Sequence, residues 1–286
     1  MFPRATRREH TCARGATSAS RAGMVRGGAR ARRGTIRPVH DDLAGIRIDY
    51  DGAGFFAADA GDDPMALFGA WFDHASTLET VIEPNAMALA TSAADGTPSV
   101  RMVLLKAVDE ATASFGWHTN LLSRKAVEGL GAGSAALCWW WPGDGGRHGR
   151  QVRAVGRVVR LDRDASRAYF ERRPPEARVS AIASHQSRAV TNRATIDARA
   201  AALDPNAIDL PDTWGGLQLV ADELEFWQGR SARLHDRITF LRLDEDRAVR
   251  SRPAAEAAGG DDALLAAGTI VTDPHGTTWL RSRLEP

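Results

Sequence analysis

Cations and hydroxyls recur together at what read as strand ends and loops. RMVLLK supplies Arg101 and Lys106, TNLLSRK supplies Thr119, Ser123, Arg124 and Lys125, YFERRP supplies Tyr169 and Arg173, and SHQS supplies Gln186 and Ser187. This mixture suits phosphate: guanidinium and ammonium groups give charge-assisted donors, and hydroxyls complete the oxygen shell. The chain has no glycine-rich phosphate loop of the Walker or dinucleotide type, so phosphate must be held by side chains. Only two of its 37 basic residues are lysines, Lys106 and Lys125, and both fall inside these clusters. Any one cluster taken alone reads more readily as a solvated face. Arg101 and Lys106 are five apart, which in a regular strand points them to opposite faces, so a shared ligand needs a bulge or a subunit boundary.

A second constellation is EFWQGRSARLHDR. Read as an extended segment, it alternates Arg233, His235 and Arg237 on one side beside Trp227, a setting for a planar, anionic ring. On its own, His235 reads as a surface histidine paired with Asp236. Glycosidase carboxylate pairs, a nucleophile elbow and HExxH are absent. Cys12 and Cys138 are isolated, so neither a disulfide framework nor a metal site is read, and a reducing compartment is the default.

The elements that must position these residues are mostly strands. AMALATS, SVRMVLLK, ASFGWHT, SAALCWWW and RQVRAVGRVVRL follow one another with short links, which predicts an antiparallel sheet. LQLVADELEFWQG, RITFLRL and TTWLRSRL add later strands. Asp63 as N-cap and Pro64 at the first helical position open a core-facing helix, and three further helices are expected between Asp162 and Leu203. The three tryptophans at 139–141 read as core or interface packing. The whole predicts one mainly β domain over 41–286 with flanking helices, a lead-in at 41–56 and a surface insertion near 245–275.

Residues 1–40 carry ten arginines against the single acid Glu9, a net +9 that leaves −8 for the rest of a chain whose total is +1. This stretch reads as a disordered extension or an over-long start. Apolar runs are too short for a membrane helix, which predicts a soluble, cytoplasmic protein. Nucleic-acid binding follows from the tail's charge alone and is disfavoured.

Taken in order, RMVLLK, TNxxSRK, RQVR, YFxxRP, QS, EFWQG and RLHDR resemble the pyridoxamine 5′-phosphate oxidase family, from about Leu43 to the C-terminus. The resemblance implies an antiparallel split β-barrel, a homodimer with FMN at the subunit interface, and oxidation of pyridoxamine or pyridoxine 5′-phosphate by O2. It implies that Arg101, Lys106, Thr119, Arg124, Lys125, Gln151, Gln186, Ser187, Trp227 and Arg237 contact FMN, with His118 beside them where the family usually has Tyr. For the substrate it implies Lys106, Tyr169 and Arg173 on the 5′-phosphate, with Ala177 at a position usually held by Ser. Arg233 and His235 would lie against the ring as the catalytic pair, under a lid carrying Arg47 and Tyr50. The alternatives are a phenazine-type split-barrel oxidase and a flavin- or pyridoxal-phosphate-binding protein without turnover.

Overall fold

Asp63 caps its helix as the sequence predicts, its Oδ1 accepting from the backbone N–H of Met65 at 2.8 Å and Ala66 at 3.1 Å. The computed structural model describes residues 49–50, 54–143, 149–243 and 268–286. The Arg-rich extension, Arg47, most of the lead-in and residues 244–267 lie outside them. After a short helix α1 (Ala57–Ala60), α2 (Pro64–Thr77) buries Met65, Leu67, Phe68, Trp71 and Ala75. Phe68 meets Phe115 and Trp139 with ring centroids 4.9 and 5.0 Å away, so this helix packs on one face of the sheet.

Ten strands among the described residues form that sheet: β1 (Ala86–Ser92), β2 (Pro98–Leu104), β3 (Ala107–Asp109), β4 (Ser114–Asn120), β5 (Ser134–Trp141), β6 (Arg150–Arg160), β7 (Trp214–Gln228), β8 (Asp236–Arg242), β9 (Thr269–Thr272) and β10 (Thr278–Leu284). Every pairing is antiparallel, in the order β2-β1-β5-β6-β7-β8-β10-β9, with β4 also on β7 and β3 on β4. The 15-residue β7 is the spine. Its first half lies between β4 and β6 and its second half between β6 and β8, so the sheet forks and curls there. Gly156 marks the bend: the register slips between Val155 and Gly156, and a Cβ on Gly156 would lie 2.0 Å from the Val220 carbonyl oxygen. Helices α3 (Arg124–Ala132), α4 (Arg163–Glu171), α5 (Pro175–Ala183) and α6 (Arg193–Ala201) flank the sheet.

Period-two alternation sorts the three tryptophans of β5. Trp139 and Trp141 are buried in the core, while Trp140 is 48% exposed on the other face. Three expectations change. SVRMVLLK is not one strand: β2 ends at Leu104, where the chain leaves β1, and β3 starts at Ala107 on β4. That break puts Arg101 on β2 and Lys106 in the link after it, so strand parity does not relate the two side chains. Residues 269–272, inside the stretch read as an insertion, form β9 against β10. Finally, RSARLHDR is not extended. Ser231–Arg233 is a 3-10 turn with Ala232 and Arg233 at φ 56° and 61°, and β8 begins only at Asp236.

Candidate functional site

The start of α3 gathers the first cluster. The Arg124 backbone N–H donates to Ser187 Oγ at 3.0 Å, and Ser187 sits at φ 67°, a strained conformation that aims its hydroxyl at the helix end. Lys125 Nζ donates to Gln186 Oε1 at 3.0 Å, and Thr119 Oγ1 donates to the same oxygen at 3.2 Å. Lys125 is half-buried and has no carboxylate partner among the described residues. Burial and then the Arg101 charge push its pKa below the ordinary lysine value. A desolvated ammonium at a helix N-terminus, ringed by hydroxyl and amide groups, is a seat for an anion.

Sequence reasoning missed what holds the neighbouring guanidiniums. Glu128, buried on α3, takes Arg124 Nε at 2.6 Å and Arg101 Nη2 at 3.4 Å. It also accepts from Ser99 Oγ at 2.5 Å and Thr91 Oγ1 at 2.6 Å. The Ser99, Thr91 and Arg124 hydrogen bonds hold its carboxyl down to about 2. The available signal was the i,i+4 spacing of Arg124 and Glu128.

Across β4 from Thr119, its neighbour His118 faces the opposite way into a second cluster. Its ring stacks on Tyr169 (4.1 Å, 16°) and on Trp214 (5.1 Å, 16°), and the Arg173 guanidinium lies 5.0 Å from the Trp214 ring. Both His118 ring nitrogens and Arg173 Nη1 are buried without a hydrogen-bond partner among the described residues. Desolvation, then the charges of Arg173, Lys106 and Arg172, hold His118 down to about 4, so it is neutral at physiological pH. Lys106 is exposed and makes no ion pair among the described residues. Ala177 lies in the first turn of α5 and is half-buried. His118 therefore joins the Tyr169 and Arg173 set, away from Thr119 and Lys125.

Strand register lines up the third cluster. Trp140 lies opposite Gln151, Gln151 opposite Trp227, and Trp227 opposite Arg237, one transverse row on one face. Arg237 makes a bidentate pair with Glu225 (3.1 and 3.1 Å), which also takes Arg153 Nη2 at 2.6 Å. Tyr50 sets its ring edge-on against Trp227 at 5.8 Å and His235 at 5.7 Å, packed over Gly229 and Gly149. The Arg230 backbone N–H donates to His235 Nδ1 at 3.1 Å, which leaves Nε2 to carry the proton of a neutral ring. Asp236 does not pair with His235: it accepts from the Phe55 N–H at 2.9 Å and Arg283 Nη1 at 2.6 Å. Arg233 is exposed on its turn. His235 thus reaches the Trp227 ring, 4.6 Å away, from behind a tight turn and not by strand alternation.

The second and third clusters stand far apart in one chain. Gly216 lies opposite His118 and Trp227 lies eleven residues further along β7. At ~3.3 Å per residue that is roughly 35 Å of strand, more than a pyridoxine-sized ligand spans.

The sequence matches two family models, one described as pyridoxamine 5′-phosphate oxidase over residues 74–205 and one described as the pyridoxine 5′-phosphate oxidase C-terminal dimerisation region over 214–286. A relative named pyridoxine/pyridoxamine 5′-phosphate oxidase from Burkholderia multivorans is 44% identical over 203 residues, 70% of this chain and 92% of that protein. One of the same name from Leptospira biflexa is 39% identical over 216 residues, 74% and 98% respectively. Among solved structures, PhzG from Burkholderia lata, in complex with tetrahydrophenazine-1-carboxylic acid, aligns with a TM-score of 0.63 at 26% identity, covering 82% of this chain and 98% of that one. An FMN-binding protein from Nostoc punctiforme shares the fold, with a TM-score of 0.50 at 19% identity over 64% of this chain and 94% of that one. The fold is the antiparallel split barrel, and the chain belongs to the pyridoxamine 5′-phosphate oxidase family of flavin-dependent oxidoreductases.

Proposed function

We propose that this protein is an FMN-dependent oxidase that converts pyridoxamine 5′-phosphate, pyridoxine 5′-phosphate or both to pyridoxal 5′-phosphate, with O2 as acceptor and hydrogen peroxide as product. One observation carries the reading: β4 separates two cation sets that have no carboxylate partner among the described residues, Lys125 on one face and Lys106 with Arg173 on the other. Two phosphorylated ligands, a cofactor and a substrate, are what such a pair of sites asks for.

The first cluster fits FMN. Lys125 and Arg124 would take its phosphate with Ser187, while Thr119 and Gln186 line the approach. Arg101 acts from behind, locked on Glu128. Gln151, Trp227 and Arg237 form a ready-made flat wall for the flavin ring. When bound, FMN supplies hydride acceptance from the substrate C4′ and the passage of both electrons to O2.

The chain's own residues supply binding and orientation. Lys106, Tyr169 and Arg173 hold the substrate phosphate, with no hydroxyl from Ala177. Arg233 and His235 lie against the pyridine ring, and Tyr50 covers it. Because these groups come from ends of β7 that one small ligand cannot bridge, the working site combines one subunit's phosphate cluster with its partner's Trp227 row. The reading is therefore a homodimer with FMN at the boundary, consistent with the matched dimerisation region. A cytoplasmic setting accords with the absence, among the described residues, of a helix long and apolar enough to cross a membrane.

The likeness to PhzG, together with His118 and Ala177, favours a second reading in which the ring is a phenazine precursor. Purified protein loaded with FMN is assayed in air with pyridoxamine 5′-phosphate, pyridoxine 5′-phosphate and a reduced phenazine carboxylate, alongside Arg233→Ala. Turnover of the B6 phosphates, sharply depressed in Arg233→Ala with the flavin still bound, supports the first reading. Turnover of the phenazine alone supports the second.

A further inference from the structure

We propose that His118 is itself a ligand of the substrate phosphate and takes up a proton as that phosphate binds, which makes substrate affinity pH-dependent in this chain. The inference rests on the oxidase reading above and adds a residue to its phosphate site.

The geometry comes first. On β4 the His118 side chain points away from Thr119 and lies flat against Tyr169 at 4.1 Å. Its Nδ1 and Nε2 are both buried and have no hydrogen-bond partner among the described residues, and the same holds for Arg173 Nη1 nearby. A buried polar atom without a protein partner is unfavourable, so three of them around one stack favour a polar ligand there. The groups whose charges act on the ring are all cationic: Lys106 from the link between β2 and β3, and Arg172 and Arg173 from the end of α4. Tyr169 and Trp214 supply ring faces and no charge. No carboxylate among the described residues acts on the imidazole.

These cations disfavour an imidazolium, and a phosphate dianion reverses that sign. Opposite charge within ~4–6 Å favours the protonated ring, which then offers two N–H donors in place of one. The extra donor stands in for the hydroxyl missing at Ala177. A tyrosine at position 118 would keep the stack and one hydroxyl but could not change charge near neutrality.

The sign is specific. The phosphate's own second ionisation, near pH ~6, makes dianion binding stronger as pH rises. Proton uptake by His118 works the other way, strengthening binding as pH falls below the imidazole pKa of the complex. The two are separated by substitution. FMN-loaded wild type, H118Y and H118F are titrated with pyridoxal 5′-phosphate by calorimetry between pH 6 and 8, in two buffers of different ionisation enthalpy. Wild type should take up more protons on binding than either variant at pH 6, by a sizeable fraction of one per site. The ratio of variant to wild-type Kd should rise several-fold from pH 8 to pH 6, at most about tenfold per pH unit. Equal proton counts and a flat ratio, with flavin spectra intact and wild type turning over pyridoxamine 5′-phosphate, overturn this role for His118 and leave the oxidase reading standing. Wild type that binds FMN but neither binds pyridoxal 5′-phosphate nor turns over substrate overturns both.

Discussion

Replacing Gly229 with Ala isolates the contribution of Tyr50 as a cover. A Cβ on Gly229 would lie 2.5 Å from Tyr50 Cδ1, 2.6 Å from Cγ and 2.9 Å from Cε1. Ordinary contact begins near 3.4 Å, so the ring must retreat by about 1 Å. Gly229 has an ordinary backbone conformation and keeps its N–H on the Gly149 carbonyl at 2.8 Å, so alanine brings no backbone strain. What is lost is the pair of edge-on contacts of Tyr50 with Trp227 and His235. Aromatic pairs of this kind contribute about 0.5–1 kcal/mol each, together about 1–2 kcal/mol. If Tyr50 covers bound substrate, Gly229→Ala should raise KM by roughly 5- to 30-fold, with FMN affinity and kcat changed far less. Steady-state assays on the four members of a cycle with Tyr50→Ala make the test sharp. Once Tyr50 is already alanine, Gly229→Ala should have no further effect. A full KM penalty in the Tyr50→Ala background would refute the reasoning, because it would place the damage elsewhere on the β7 end.

Other outcomes follow from the same geometry. Lys125→Met keeps the aliphatic stem but removes a charge-assisted donor, and should weaken FMN binding by about 1.5–3 kcal/mol, ten- to a hundredfold, with loss of salt sensitivity on fluorescence titration. His118 titrates at about 4 in the folded chain against the ordinary 6.5, so unfolding takes up a proton between those values. Its contribution is therefore complete above pH 6.5 and is lost as pH falls towards 4. Discounted for partial exposure, it amounts to about 1–2 kcal/mol, visible as a fall in the apoprotein's urea midpoint from pH 7 to pH 5 that His118→Tyr should lessen. Gly156→Val drives a side chain into the Val220 carbonyl, and should cost several degrees of Tm or prevent soluble expression. Glu128→Gln frees Arg101 and Arg124 from their anchor, and should weaken FMN binding although Glu128 itself is not assigned to the cofactor.

Much of this was legible in the chain's local chemistry. Asp63 and Pro64 announced α2, and of the three tryptophans read as core or interface packing, Trp139 and Trp141 are buried in the core. What was hidden is non-local. Glu128, Glu223 and Glu225 orient the key arginines, but Arg153 is 70 residues from Glu223 and 72 from Glu225, and no periodicity links them. The fork of β7 is equally silent, since a strand does not encode which partners it takes along its length. The turn at Ala232 and Arg233 carries no glycine or asparagine to signal positive φ, so an extended reading was natural there. The orientation of His118 away from Thr119 follows from strand parity once β4 is known, yet its stack on Tyr169 required the packing of α4.

The decisive measurement is oxidation of pyridoxamine 5′-phosphate in air by the purified chain loaded with FMN, following pyridoxal 5′-phosphate and hydrogen peroxide together. The oxidase reading predicts a yellow protein with one FMN per subunit that forms the two products in equal amounts. A colourless protein that FMN does not bind, or a flavin-loaded protein that forms neither product, would contradict it.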